Sequence, residues 1–242
     1  MEKVSVIIPA YNEEVLLFNT LNHLIDNFDN LDFKKFEIVV VDNASTDRTQ
    51  EIALKAGARV VVETKRSIAK ARNTGAKFAS GQNFIFVDAD TLVPIKVIQE
   101  VLELMKDPKF GGGGATIEFD CNHGRFFSGI LIPQLWNLIS RTFKLGAGSF
   151  LFCRRDDFFQ VGGFPEYLYA GEEIKFSLSL KKLLGRTKRK FIILQETPVI
   201  TSSRKLAWYG DLKIICILFL FFIFPFSIRF KSLCNFWYQR PK

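Results

Sequence analysis

Two carboxylates separated by one small residue, Asp88-Ala89-Asp90, follow directly on the apolar run Phe84-Ile85-Phe86-Val87. Hard oxygen donors this close together suit Mg2+ or Mn2+, and such an ion commonly carries the phosphates of a substrate. At the carboxyl end of a strand, the pair would sit where open α/β sheets bind ligands. The plainer alternative is a strand running into an Asp-rich turn, because Asp favours turns. A second acidic pair, Glu172-Glu173, opens a predicted helix. There the helix dipole alone would favour acid.

The elements that must position these groups follow from hydrophobic patterning. Val4 to Ile8 and Phe36 to Val41 read as buried strands, and Arg59 to Glu63 and Asn83 to Val87 as two more strands. Between them the pattern predicts three helices. The first follows Pro9-Ala10-Tyr11-Asn12-Glu13 with Asn12 as its cap and runs to about Asn27. The second carries Thr49 to Ala56, capped by Thr46 or Asp47 and closed by Gly57. The third spans Ser67 to Ser80 and stops at Gly81. Alternating strands and helices of this length predict βαβ units and a mostly parallel, Rossmann-like central sheet in an α/β domain. Right-handed crossovers then bring the carboxyl ends to one edge, where Pro9 to Glu13, Asp42 to Ser45 and Asp88 to Asp90 converge.

The second half predicts a helix over Pro94 to Lys106 and a flexible turn at Gly111 to Gly114 before a strand over Ala115 to Phe119. An amphipathic surface helix follows over Phe126 to Phe143, interrupted near Pro133. Then come a strand over Gly148 to Cys153, a turn at Gly162-Gly163-Phe164-Pro165, a helix over Glu172 to Leu184 and a strand over Lys188 to Leu194.

Composition narrows the partners. A net charge of +8 fits an anionic partner such as a nucleotide or a phospholipid surface. The basic cluster Lys181 to Lys190 lacks interleaved aromatics or a recognisable binding module, which argues against nucleic acid. The four cysteines show no metal-ligand spacing and read as reduced. Of the two histidines, His23 falls away from the crevice edge, and His123 is a candidate ligand whose plainer reading is structural or exposed. No signal peptide is expected at the N-terminus.

Apolar residues make up 48% of the chain, 26 of them Phe, which raises the question of a membrane. Ile214 to Phe226 is unbroken by charge and has basic residues on both sides, with Trp208, Tyr209, Trp237 and Tyr238 where interfacial aromatics would sit. The run is shorter than the roughly 20 residues of a span. A basic tail on the far side would also oppose the positive-inside tendency. The expectation is a re-entrant or interfacial anchor at the cytoplasmic face, with a short single span and packing onto the domain or a partner as alternatives. This divides the chain into a domain over residues 1–205 and a membrane-associating segment over 206–242.

The motifs together resemble the family 2 glycosyltransferases of GT-A fold. Val4 to Glu14 is similar to that family's opening, Val41-Asp42-Asn43-Ala44-Ser45-Thr46-Asp47 to its second motif, and Ala71-Arg72-Asn73-Thr74-Gly75 to its third. Asp88-Ala89-Asp90 resembles its Asp-X-Asp, and Gly162-Gly163-Phe164 with Gly171-Glu172-Glu173 its acceptor-side motif. The resemblance covers about residues 4 to 205. It implies a nucleotide-sugar site formed by Pro9, Ala10, Tyr11, Glu13, Asp42, Asn43, Ser45, Arg72 and Asp88, with Asp42 on the base and Asp90 on Mg2+ or Mn2+. It also implies inverting transfer from a nucleotide-diphosphate sugar, a UDP-sugar by preference, to an acceptor hydroxyl. Glu173 aligns with the usual base and Glu172 is its rival; where the family commonly has Glu-Asp, this chain has Glu-Glu. Arg204 lies where relatives close a basic loop over the diphosphate, and the apolar tail points to a lipid-linked or envelope-glycan acceptor. A nucleotidyltransferase would normally show glycines after the first strand, and Pro9 to Glu13 has none. A non-catalytic scaffold of the same fold is the rival from another class.

Overall fold

The computed structural model describes residues 3–31, 35–121, 125–204 and 208–238. Four strands form the first half of the sheet: β1 (Val4–Ala10), β2 (Phe36–Asp42), β3 (Arg59–Val62) and β4 (Asn83–Val87). They alternate with α1 (Leu17–Asp29), α2 (Thr49–Lys55) and α3 (Ile68–Phe78). After β4 come β5 (Thr91–Leu92), α4 (Ile95–Lys106) and β6 (Phe110–Phe119). A π turn over Phe127–Leu131 runs into α5 (Ile132–Phe143), followed by β7 (Phe150–Arg154), α6 (Arg155–Gln160), α7 (Glu172–Arg186) and β8 (Lys190–Thr201). The C-terminal part carries α8 (Asp211–Ile223), two short 3-10 turns and a last helical turn, Asn235–Tyr238.

The eight strands lie in the order β3-β2-β1-β4-β7-β6-β8-β5. The β3-β2-β1-β4 half is parallel, as the alternation predicts. The other half is mixed, because β7 runs antiparallel to both β4 and β6, and β5 antiparallel to β8. The sheet is therefore mixed rather than mostly parallel. One core lies between the sheet and α1 and α4, the other between the sheet and α3 and α7.

The second core explains part of the Phe content. Phe86, Phe158, Phe164 and Phe176 interlock beneath α7, with Phe164 and Phe176 stacked at 4.5 Å and Phe86 edge-on to Phe164 at 5.0 Å. These rings hold α7 and the chain before it at a fixed height above the sheet.

Gly111 to Gly114 is not a turn. All four glycines lie inside β6, where side chains would not fit. A Cβ on Gly113 would come 2.2 Å from the Ile192 carbonyl oxygen, and one on Gly111 2.1 Å from Leu184 Cδ2. Glycine here admits close approach of β8 and α7 at the expense of strand propensity. Asn12 is not a helix cap either. It takes a left-handed backbone, φ 52°, and α1 begins at Leu17 with no side-chain cap. The interruption expected near Pro133 is a change of hydrogen-bond pattern, from a π turn over Phe127–Leu131 to α5, within a continuous helical run. All four cysteines are free thiols. His123 and Lys205 lie outside the described residues.

Among the described residues no helix is long and apolar enough to cross a membrane. With 13 residues, α8 rises about 20 Å, short of a hydrocarbon core of about 30 Å. A single span is thus not found there. Ile214 and Tyr209 instead pack against Phe119, Ile132 and Phe236.

Candidate active site

Parallel register brings three loop starts together at the carboxyl edge of β2, β1 and β4. Asn43 N donates to the Ala10 carbonyl at 2.8 Å, Asn12 N to Ser45 Oγ at 3.0 Å, and Thr46 N to Asn12 Oδ1 at 2.8 Å. Asp47 and Thr49 take the Glu14 and Glu13 backbone N–H groups, so the first loop is tied to the second along its length. Asp42 is 5% exposed, and its Oδ1 accepts from Ser45 N at 3.1 Å. The Asn43 carboxamide bridges the Glu63 and Lys65 carbonyls and the Ser67 N–H.

The Asp88-Ala89-Asp90 loop is pinned from three sides. Asp88 N donates to Ser149 O, Ser202 N to Asp90 O, and Thr20 Oγ1 to Ala89 O at 2.9 Å. Pairing of Thr91 with Thr201 and of Leu92 with Ile200 clamps the chain as it leaves the loop.

Helix α3 supplies the cation. Ser67 caps it, accepting from Lys70 N. Gly75 lets it lie tight on the sheet, because a Cβ there would meet Ile7 Cγ2 at 2.4 Å and Val41 Cγ2 at 2.8 Å. One turn earlier, Arg72 is 2% exposed. Its guanidinium donates to Glu172 Oε1 at 2.8 Å, Asp88 Oδ1 at 2.9 Å and Gly148 O at 2.9 Å, with the Phe164 ring 5.2 Å away. Arg72 thus joins the Asp-Ala-Asp loop to the first turn of α7. Asn73 secures the chain leading into α7 by exchanging hydrogen bonds with Phe164 N and O, both at 2.8 Å. Gly163 lies against that carboxamide at φ 69°, and an added Cβ would come 2.6 Å from Asn73 Oδ1.

The two acids of α7 differ. Glu172 is committed to Arg72. Glu173 keeps part of its surface toward a cavity. Enclosure by protein and the neighbouring Glu172 carboxylate push its carboxyl up to about 8, with Arg72 pulling the other way. Arg204, after β8, makes a bidentate pair with Glu13, at 2.6 and 2.5 Å, and reaches Asp90 Oδ2 at 3.2 Å.

Two cavities meet at Asp88. One, of about 330 Å³, is walled by Pro9, Ala10, Tyr11, Glu13, Asn43, Asp90 and Arg204, among others. Asp42 and Ser45 stand behind that wall, engaged in the turn. The other, of about 970 Å³, takes in Arg72, Glu172 and Glu173 together with apolar Ile117, Trp136 and Ile174. On its wall the Ser149 hydroxyl is buried with no protein partner.

The C-terminal part walls both cavities, which sequence reasoning missed. Phe236 and Tyr238 line the first, and Phe226, Ile228 and Arg229 the second. Lys231 Nζ donates to Arg66 O at 3.0 Å, Tyr169 N to Ile228 O at 2.8 Å, and Ile68 N to the Tyr238 hydroxyl at 3.3 Å. Only the mixed aromatic and basic composition of that stretch signalled a surface role. Arg66 lies over the Tyr11 ring at 3.6 Å, a contact no motif announced.

Asp88 and Asp90 are hard oxygen donors in a rigid loop, with the charge of Arg204 already drawn to Asp90. That donor set fits a divalent ion that shares its coordination with substrate phosphates, since Mg2+ commonly uses only one or two carboxylates. Among the described residues no group of three or more His, Cys, Asp or Glu forms a cage.

Comparison with known proteins identifies the family and the fold. A dolichol-phosphate mannosyltransferase of Pyrococcus furiosus is 41% identical over 111 residues, covering 43% of this chain and 30% of that protein. The chain spans about a fifth to three fifths of the length of the curated relatives it matches. A mannosyltransferase from Pyrobaculum calidifontis, in complex with GDP-Man and Mn2+, superposes with a TM-score of 0.66 at 22% identity, over 97% of this chain and 68% of that one. TarS of Staphylococcus aureus in complex with UDP-GlcNAc superposes with a TM-score of 0.65 at 23% identity, over 84% and 59%. At these identities the superpositions establish the GT-A-like fold. Residues 5–158 match the family described as glycosyl transferase family 2, and the chain belongs to that family.

Proposed function

We propose that this protein is an inverting, metal-dependent glycosyltransferase. It moves a sugar from a nucleotide-diphosphate donor, a UDP-sugar, to a hydroxyl of a lipid-linked or envelope-glycan acceptor at the cytoplasmic face of a membrane. The observation that carries the reading is the meeting of two cavities at Asp88, one beside Asp90 and Arg204 and the other beside Glu173, with Arg72 joining that aspartate to Glu172.

The smaller cavity takes the nucleotide diphosphate. Tyr11 and its neighbours Pro9 and Ala10 flank the nucleoside. Asp42 accepts from the base once the Ser45 turn yields to it, and Asn43 and Ser45 hold that turn in shape. Asp88 meets the ribose or a metal-bound water. Asp90, with Asp88, would hold Mg2+ or Mn2+, which when bound neutralises the charge of the leaving diphosphate. Arg204 then exchanges Glu13 for phosphate, which its planar fork can also grip in bidentate fashion.

The larger cavity takes the acceptor. Its hydroxyl attacks the anomeric carbon from the face opposite the diphosphate; the new carbon–oxygen bond forms as the old one breaks, and configuration inverts. Glu173 receives the hydroxyl proton. With its pKa raised to about 8 the Glu173 carboxyl is largely protonated at neutral pH; its ionised fraction is the base, a stronger one than an ordinary glutamate, so transfer should rise with pH toward 8. Glu172 positions Arg72 rather than taking the proton.

Calorimetry with UDP and with GDP, in the presence and absence of Mn2+, tests the donor half. UDP binding that needs Mn2+ and disappears in Asp90→Ala supports the reading. Preference for GDP overturns the choice of base. Absence of binding of either nucleotide to folded protein overturns the transferase reading and favours a scaffold of the same fold.

A further inference from the structure

Large apolar side chains are exposed mainly in two stretches. Of the 22 that are exposed among the described residues, 14 lie within 126–143 and 212–233, so the exposure is concentrated and not scattered as on an ordinary surface. In the π turn and α5, Phe127, Leu131, Leu135 and Leu138 stand exposed at spacings of four, four and three residues, which is one stripe of a helix. In α8, Leu212, Ile215, Phe219 and Ile223 repeat the pattern at three, four and four.

An apolar stripe at this spacing ordinarily faces a core, yet both helices present their other side to the domain. Asn137 binds α5 to β6 through Ile117 N and O, at 2.9 and 2.8 Å. Ile132 of α5 and Ile214 of α8 join one buried cluster with Tyr209. Ser128 also hydrogen-bonds Asp211, and Arg125 the Tyr209 carbonyl. The π turn and the start of α5 therefore meet the start of α8, and the two outer stripes are left unpartnered. Exposed Phe224, Phe226 and Phe230 extend the second stripe.

Charge distinguishes the occupant. Neither 125–144 nor 212–238 contains an Asp or Glu, while Arg125, Arg141 and Lys144 border the first stripe and Lys213, Arg229 and Lys231 the second. A contact between two copies of this chain would bring these cations together, whereas a surface of anionic headgroups would neutralise them. Trp136 of α5 and Phe226, in the turn after α8, also wall the larger cavity, so the outer face adjoins that cavity.

We propose that the outer faces of the 127–143 helix and α8, with the phenylalanines that follow, form one surface that docks in the plane of an anionic lipid bilayer. The larger cavity then lies at the headgroup level, beside the membrane from which its acceptor comes. This deepens the reading of a membrane-presented acceptor and needs neither donor nor metal, so failure of transfer chemistry and failure of docking are separable.

Sedimentation of the full chain with vesicles of phosphatidylcholine, alone and doped with phosphatidylglycerol, tests it. The expected result is binding to the doped vesicles that weakens with salt. Phe219→Glu and Leu135→Glu should each weaken it about tenfold or more while leaving thermal unfolding and UDP binding unchanged. Arg141→Glu with Lys213→Glu should remove the preference for anionic lipid. Failure of the folded wild-type protein to bind doped vesicles overturns the proposal, as does equal binding to both vesicle types. Reversible dimers that Phe219→Glu dissolves, without vesicle binding, would assign the face to self-association instead.

Discussion

Two glutamates at opposite edges of the same sheet show how the fold treats charge. At the amino edge, Glu37 of β2 is surrounded by donors: Ser5 Oγ and Ser80 N at 2.5 Å, Ser80 Oγ at 2.9 Å, Gly81 N at 3.2 Å and Lys3 Nζ at 3.3 Å. Burial alone would raise its pKa, but these donors outweigh it and bring the carboxyl down to about 2. At the carboxyl edge, Glu173 has burial and the Glu172 charge against it, and Arg72, already shared with Glu172 and Asp88, does not make up the difference. One carboxylate is satisfied and locks β1, β2 and the approach to β4 together. The other is held short of partners beside a cavity. The first charge is completed by the fold; under the proposed function the second is completed by the acceptor.

The contrast is broken most severely by Glu173→Gln, which keeps the shape and removes the base. Transfer should fall by about 10² to 10⁴-fold. Stability should respond in the opposite sense to an ordinary ion-paired acid. The folded state holds a proton that the unfolded chain has already released, so wild-type stability falls as pH rises from the ordinary glutamate value of 4.5 to about 8. Denaturation across that range should show a shallower decline in Glu173→Gln, and an unchanged slope would assign the titration elsewhere.

Arg72→Ala comes next. It leaves Glu172 and Asp88 without their shared cation in a buried site and should cost about 3–5 kcal/mol in urea denaturation. Arg72→Lys should not restore it, because a single ammonium cannot reproduce the planar fork that reaches Glu172, Asp88 and Gly148. A fully stable Arg72→Ala protein would contradict the picture of a strained carboxyl edge.

Glu37→Gln should cost about 2–3 kcal/mol at neutral pH, the linkage of its lowered pKa discounted for partial exposure. The Glu37 contribution is present above about 4.5 and is lost as pH falls toward 2, so wild type and variant should converge in acid. Gly163→Ala should cost about 1–3 kcal/mol, through both the left-handed backbone and the 2.6 Å approach to Asn73 Oδ1. Its stability deficit should come with a loosened α7 start, seen as faster amide exchange at Glu172 and Glu173.

Legibility followed the same division. The parallel half was readable because buried strands such as Val4–Ala10 and Asn83–Val87 are near-continuous apolar runs that end in polar loops. The Arg72-Asn73 and Gly162-Gly163 motifs were readable as motifs, but their reason lies in contacts 91 to 100 residues apart in sequence, Asn73 with Phe164 and Arg72 with Glu172. Gly111 to Gly114 misled because glycine marks turns by conformational freedom but tight packing by lack of volume, and only the positions of Leu184, Ile192 and Phe152 distinguish the two. The pairing of Arg204 with Glu13, 191 residues away, and the fold-back of 225–238 over the crevice leave no local periodicity at all.

Carbon-13 detection of the side-chain carboxyls of Glu37 and Glu173, titrated in one metal-free sample, tests the central contrast most directly. The account requires Glu37 to titrate near 2 and Glu173 near 8, on opposite sides of the ordinary value of 4.5. Titration of both near that ordinary value would contradict it, and with it the assignment of Glu173 as the group that takes the acceptor's proton.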